Sequence, residues 1–140
     1  MRLHEILSES VNVTAKDCVL IAQAVHSQRG LPITTICRKK DDRYCWVMNR
    51  ISDDAYLDCH GVRSLIEILT GLGLDPGEVD VEAVTPRQIE NHRRKYHRSE
   101  PTSAALRAAK ATATQLIGTY QIGQYTKPSR PPPAYVPIGF

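Results

Sequence analysis

The 140-residue sequence has no long apolar run and few cysteines. No stretch approaches the ~20 apolar residues that span a bilayer, and the first residues lack the apolar core and cleavage site of a signal peptide. The chain has four cysteines without a Cys-x-x-Cys pair, too few for a disulfide-stabilised secreted domain. These absences predict a soluble protein that is made and used in a reducing cytoplasm and has no membrane association.

Acidic residues are scarce in the last part of the chain. Residues 85–140 contain 2 Asp/Glu and 9 Lys/Arg, a net charge of +7, whereas residues 1–84 contain 13 Asp/Glu and 9 Lys/Arg, a net charge of −4. The sequence therefore predicts a slightly acidic globular body followed by a basic appendage.

Hydrophobic periodicity and turn residues predict an α+β domain with an extended Pro-rich tail. The predicted helices cover residues 2–8, 16–28, 62–69, 87–97 and 102–117. The predicted strands cover residues 33–37, 44–51, 56–61 and 79–84. The serial prolines after residue 127 favour polyproline II, because proline fixes the backbone and donates no N–H group. The chain divides into three parts, with boundaries at 1–84, 85–118 and 119–140.

Reactive side chains are concentrated in one predicted β-hairpin, residues 44–61. Aromatic and β-branched residues favour its first strand, and Ser52, Asp53 and Asp54 form its turn. It carries two thiols, an acid and an imidazole, which are Cys45, Cys59, Asp58 and His60. This density makes the hairpin the place to look for a functional site.

A third thiol, Cys18, follows Asp17 at the predicted start of a helix. A helix N-terminus lowers the pKa of a thiol, because its dipole and free N–H groups favour the thiolate. This is a common position for a nucleophilic cysteine. The alternative is a core cysteine on an apolar stripe, since free cysteine is among the most buried residue types.

Several short motifs together resemble a family of small papain-like thiol hydrolase domains of bacteria and their phages. The motifs are Asp17-Cys18 at a helix start, Gly30-Leu31-Pro32-Ile33 before a strand, and Tyr56-Leu57-Asp58-Cys59-His60-Gly61 in the return strand. The resemblance covers residues 17–69. It implies a papain-like core over residues 1–84, in which a helix that carries the cysteine packs on a small antiparallel sheet.

The resemblance implies that Cys18 is the nucleophile and that Asp58 orients the catalytic base. The sequence departs from the family at the base itself, since Cys45 stands where the family has histidine. A thiol nucleophile needs an imidazole to take and return its proton. His60, two residues from Asp58, would share its face of an extended strand and is the candidate substitute.

Metal binding is the next alternative for these side chains. Thiolate and imidazole suit zinc, but the four cysteines have no knuckle spacing, and the adjacent Cys59 and His60 would point to opposite sides of a strand. No metal and no other cofactor are expected.

Two surfaces are candidates for partner binding. The basic helix contains Arg93, Arg94 and Lys95, which could contact nucleic-acid phosphates or form an ordinary solvated face. Near the end of the tail lie Tyr135, Ile138 and Phe140. Extended segments with spaced aromatic residues are a recurring recognition mode.

Two functions follow from these observations. The first is a non-catalytic or degenerate papain-like domain that acts as an interaction or structural protein, for example of a phage particle, with the tail as a docking arm on a protein partner or on another copy. The second is an active thiol hydrolase of amide or thioester bonds that uses Cys18 with Asp58 and His60.

Overall fold

The computed structural model describes residues 15–41, 44–96 and 100–125. The α-helices in these segments are α1 (Ala15–Arg29), α2 (Leu65–Leu72), α3 (Pro86–Tyr96) and α4 (Ser103–Thr119). The strands are β1 (Ile33–Arg38), β2 (Tyr44–Ser52), β3 (Ala55–Asp58), β4 (Gly61–Arg63) and β5 (Val79–Val84), and a short 3₁₀ helix covers Pro76–Glu78. The predicted α+β class is confirmed. The helix predicted over residues 2–8 lies outside the described residues.

The five strands form one antiparallel sheet in the order β4-β3-β2-β1-β5. β1 lies between β2 and β5, so Ile33 pairs with Asn49 on one side and with Val84 on the other. The pairing of β1 with β2 shifts register next to Cys37. Residues 33–36 are all buried, because β1 is an inner strand whose side chains pack in clusters on both faces of the sheet.

Helices cover both faces of the sheet, and alternate strand residues point to opposite faces. On one face, Val47 packs in a cluster with Val19 and Ala22 of α1. On the other face, Met48 packs with Leu65 and Ile68 of α2. The α1 face and the α2 face therefore hold separate parts of the core.

Helix α4 packs on α1 and completes the core of the α1 face. Ala109, Ala113 and Leu116 of α4 belong to the same buried cluster as Leu20 and Val25 of α1. The boundary predicted after residue 84 therefore does not coincide with a gap in the hydrophobic core.

Most helix ends lie where the sequence predicts them. Gly30 ends α1 with a φ of 71° and donates its N–H to His26 O at 2.8 Å, as expected of glycine after a helix. Thr85 caps α3 by accepting a hydrogen bond from Gln88 N at 3.1 Å, and Thr102 caps α4 by accepting one from Ala105 N at 3.0 Å.

The predicted start of α2 is wrong. The helix begins at Leu65, because Ser64 and Glu67 form a capping box at its N-terminus. The three residues before that box, Gly61–Arg63, form β4 and pair with β3. The sequence predicts instead a hairpin that ends at Gly61 and a helix that includes Val62.

Candidate functional site

Asp58, the last residue of β3, is a buried carboxylate with three donors. Trp46 Nε1 donates to Oδ2 at 3.0 Å, the Arg63 guanidinium forms an ion pair with the same oxygen, and the His60 N–H donates to Oδ1 at 2.8 Å. Asp58 is 4% exposed, and a buried charge requires such partners. The carboxylate therefore joins β2, β4 and the turn between β3 and β4.

Two thiols lie in contact beside this carboxylate. Helix α1 supplies Cys18, which is 4% exposed, and the turn after β3 supplies Cys59, which is 8% exposed. Both belong to the cluster between α1 and α4, and each thiol lies close enough to the other to act on its pKa. The structure thus brings together Cys18, Cys59 and Asp58 from two separate parts of the sequence.

The contact between the thiols shifts their pKa values in opposite directions. The hydrogen bond with Cys59, burial, and the charge of Asp58 raise the pKa of Cys18. The hydrogen bond from Cys18 lowers the pKa of Cys59, and the Arg63 charge contributes to this, against burial and Asp58. The raised pKa of Cys18 favours the core-cysteine alternative, because the hydrogen bond with Cys59, burial and the neighbouring acids outweigh its place in the first turns of α1.

Cys45 does not join this group. It packs at the margin of the cluster that contains Met48 and Tyr56, which lies on the α2 face of the sheet. Cys18 and Cys59 belong to the cluster of the α1 face. The pairing of β1 with β2 shifts register beside Cys37. At this shift Cys45 departs from the regular alternation of β2 side chains between the two faces of the sheet. Cys45 therefore packs against a different group of buried residues from the one that contains Cys18 and Cys59.

His60 lies near Asp58, but not as an extended strand would place it. The chain turns at Cys59 and His60, so the backbone N–H of His60, and not its ring, contacts the Asp58 carboxylate. The exposed ring stacks on Trp46 with the ring centroids 6.0 Å apart and an interplanar angle of 7°. The expectation of a shared strand face is therefore wrong, because β3 ends at Asp58.

The basic helix α3 presents only part of its charge to solvent. Arg93 is 1% exposed and is paired with Glu90 and Glu100. Its neighbours Arg94 and Lys95 are exposed. A solvated basic face therefore contains Arg94 and Lys95, whereas the guanidinium of Arg93 is held inside the protein and does not fit the predicted contact with a partner.

The predicted tail site lies outside the described residues, since Tyr135, Ile138 and Phe140 come after residue 125. The last described residue, Tyr125, donates its N–H to Arg29 O at 2.8 Å. The chain therefore leaves the described part of the protein next to the C-terminal end of α1.

The structure also bears on metals and membranes. Within residues 15–41, 44–96 and 100–125, no group of three or more His, Cys, Asp or Glu side chains could hold a metal ion. None of the helices in the described part of the chain is long and apolar enough to cross a membrane.

Sequence reasoning missed three residues around the thiol pair, which are Trp46, Arg63 and Tyr120. Arg63 was identifiable in principle, because it follows Asp58 by five residues across a glycine turn that returns the chain. Tyr120, just after α4, lies against Gly61, where a Cβ would clash with the Tyr120 hydroxyl. No local pattern indicates that contact, since it joins residues far apart in the sequence.

Comparison with known proteins adds no relative. No protein-family model matches this chain, no curated protein matches it, and no solved structure matches it.

Proposed function

We propose that the chain is a non-catalytic interaction or structural protein built on a degenerate papain-like domain. The observation that carries this proposal is the environment of Cys18. The thiol is 4% exposed, and its pKa is raised by the contact with Cys59 and by burial. A nucleophilic cysteine needs the opposite conditions, an accessible sulfur with a lowered pKa.

The neighbours of Cys18 also favour a structural role. Among the described residues, the groups that act on its pKa are Cys59, Asp58 and Asp17, and all of them raise it. The candidate base from the sequence, His60, stacks its ring on Trp46. Deprotonation of Cys18 is thus opposed on every side that the structure describes.

The interaction part of the proposal rests on the basic face and the tail. Arg94 and Lys95 are exposed on α3. The tail adds the apolar residues Tyr135, Ile138 and Phe140. Burying one large apolar side chain contributes about 1.5–3 kcal/mol, so the three can hold an arm on another protein chain. In this proposal the arm docks on a second copy of the chain, as in a phage particle.

The test compares the full chain with a chain that ends at residue 126. Size-exclusion chromatography with light scattering at matched concentration reports assembly, and circular dichroism reports folding. We expect the shorter chain to stay folded and to become monomeric. A full-length variant with serine at Tyr135, Ile138 and Phe140 should behave in the same way, whereas a matched control with glutamine at Lys127 and Arg130 should still assemble. A complex that survives truncation, or a full chain that is monomeric throughout, would refute the docking arm.

The hydrolase alternative is tested separately. The structure brings Cys18 and Asp58 together, which the hydrolase mechanism also requires. Thioester and peptide substrates are offered to the wild type and to Cys18→Ser, with Cys37→Ser as the matched control. We expect no turnover that depends on Cys18. Turnover that disappears only in Cys18→Ser would establish the hydrolase instead.

A further inference from the structure

The pair formed by Cys18 and Cys59 differs from the other cysteines of the chain. The two residues are about forty positions apart in the sequence, yet the fold places both side chains in one buried cluster, where each thiol acts on the pKa of the other. Cys37 instead donates its thiol to Asp41 O, and Cys45 lies on the other face of the sheet. The fold thus produces one dithiol, and the sequence contains no Cys-x-x-Cys motif that would indicate it.

The two sulfurs have different surroundings. Cys59 lies in the turn between β3 and β4, next to the exposed His60, and is 8% exposed, whereas Cys18 is 4% exposed within α1. The hydrogen bond from Cys18 and the Arg63 charge lower the pKa of Cys59 and favour its thiolate, and together they outweigh burial and the charge of Asp58. Cys59 therefore has the properties of the attacking thiol of a redox pair, and Cys18 those of the resolving thiol.

We propose that Cys18 and Cys59 are a redox-active dithiol, which forms a reversible intramolecular disulfide by exchange with a small disulfide of the glutathione class. The sulfurs of a disulfide are ~2.05 Å apart, so the bond requires the two sulfurs to move closer within the buried cluster that they share. The bond would tie α1 to the turn between β3 and β4. This inference goes beyond the interaction function and does not depend on it.

The exchange takes two steps. The Cys59 thiolate attacks one sulfur of the small disulfide, whose other sulfur leaves as a thiolate, and a mixed disulfide remains on Cys59. In the mixed disulfide Cys59 is no longer a thiolate, so the largest cause of the raised pKa of Cys18 is removed. Cys18 then loses its proton to the released thiolate or to solvent and attacks the Cys59 sulfur. This releases the second small thiolate. Overall, two protein thiols are oxidised by two electrons, one small disulfide is reduced, and the two protons end on the two released thiols.

The experiment uses the full chain with Cys37→Ser and Cys45→Ser, which leaves only the pair. The folded protein is incubated with oxidised glutathione, denatured in acid, alkylated and weighed by mass spectrometry. We expect the protein to lose the mass of two hydrogen atoms and to remain unalkylated. A peptide map should show Cys18 joined to Cys59, and dithiothreitol should reduce this disulfide completely. Two alkylated thiols, or two stable glutathione adducts, would overturn the proposal.

Single variants in the same background assign the roles. Cys18→Ser should accumulate a stable glutathione adduct on Cys59, because the resolving thiol is absent. Cys59→Ser should leave Cys18 alkylated and free of glutathione. The same chain in urea provides a further control, and it should form at least tenfold less intramolecular disulfide, because contact between the sulfurs depends on the fold. Equal yields in folded and unfolded protein would contradict a site built by the structure. If a single variant fails to fold, the double-serine protein still decides.

Discussion

Arg93 and Arg94 are adjacent arginines of α3 in opposite environments. Arg93 is 1% exposed and paired with Glu90 and Glu100, whereas Arg94 is exposed. We expect Arg93→Ala to lower the free energy of unfolding by about 2 kcal/mol, less than a fully buried pair would lose because both glutamates contact solvent. Arg94→Ala is the matched control and should change it by less than about 0.5 kcal/mol. Urea denaturation measures both, and equal effects would contradict the burial of Arg93.

The same ion pair predicts a pH dependence. The hydrogen bond from Arg93 lowers the pKa of Glu90. The folded protein then holds fewer protons on Glu90 than the unfolded chain does, so this stabilisation is present above the ordinary glutamate pKa and is lost as the pH falls through the lowered value. Glu90→Gln should therefore be less stable than the wild type at neutral pH, and the difference should shrink in acid. Glu82→Gln, on the exposed surface of β5, is the control. A difference that grows in acid would reverse the assigned sign.

At the scale of single residues, the sequence predicts which side chains carry reactive groups better than it predicts which residues surround them. The density of thiols and acids between residues 44 and 61 correctly directs attention to Asp58 and Cys59, which lie at the site. The partners of these residues depend on which strand face each side chain occupies, and the register shift beside Cys37 and the turn after Asp58 decide that. A local pattern carries neither feature, so the companions predicted for Cys18 are Asp58, Cys45 and His60, and Cys59 is not among them.

At the scale of elements, the turn between β3 and β4 fits closely under the end of α4. Gly61 has a φ of 112°, and a Cβ there would clash with the Tyr120 hydroxyl. We expect Gly61→Ala to destabilise the fold by at least about 2 kcal/mol, because alanine is strained in that backbone conformation. Gly118→Ala, inside α4 with no atom within 4 Å of its Cβ, should instead stabilise by up to about 1 kcal/mol. Thermal unfolding distinguishes the two, and a neutral Gly61→Ala would exclude the close fit.

The contact between α1 and α4 predicts a second contrast. Ala113 is 0% exposed within the cluster of the α1 face, and Ala108, on the same helix, is exposed. Ala113→Leu should cost about 1–3 kcal/mol through overpacking. Ala108→Leu should stay within about 0.5 kcal/mol of the wild type. Denaturation midpoints measured for both variants test whether the two helices pack this tightly.

Element boundaries follow from the sequence wherever a side chain or glycine acts locally. Gly30, Thr85 and Thr102 act on backbone groups within a few residues, and the helix ends beside them are predicted correctly. The sequence does not predict β4, because its three residues, Gly61–Arg63, are too few to show the alternation of apolar and polar side chains that is typical of a strand. Their extended conformation comes from pairing with β3, which is a tertiary contact.

For the molecule as a whole, α4 is part of the core and not an appendage to it. Its buried residues complete the cluster around α1. We expect a chain that ends at residue 100 to lose cooperative unfolding and to bind a hydrophobic dye, as a chain does when its packing is incomplete. The chain that ends at residue 126 should unfold cooperatively and is the control. Cooperative unfolding of the shorter chain would mean that residues 1–100 fold without α4.

The packing of α4 on α1 has a consequence for synthesis on the ribosome. Helix α1 emerges before the other described helices, but the side of it that packs on α4 stays uncovered until residues 103–119 have been translated. At a synthesis rate of about 5–20 residues per second, the apolar residues of α1 lack their contacts with α4 for on the order of ten seconds. During that interval the nascent chain exposes an apolar surface that includes the Cys18 side chain. Chaperones and other chains can bind to this surface. A slow codon between β5 and α4 would prolong that exposure, and one placed after α4 would not.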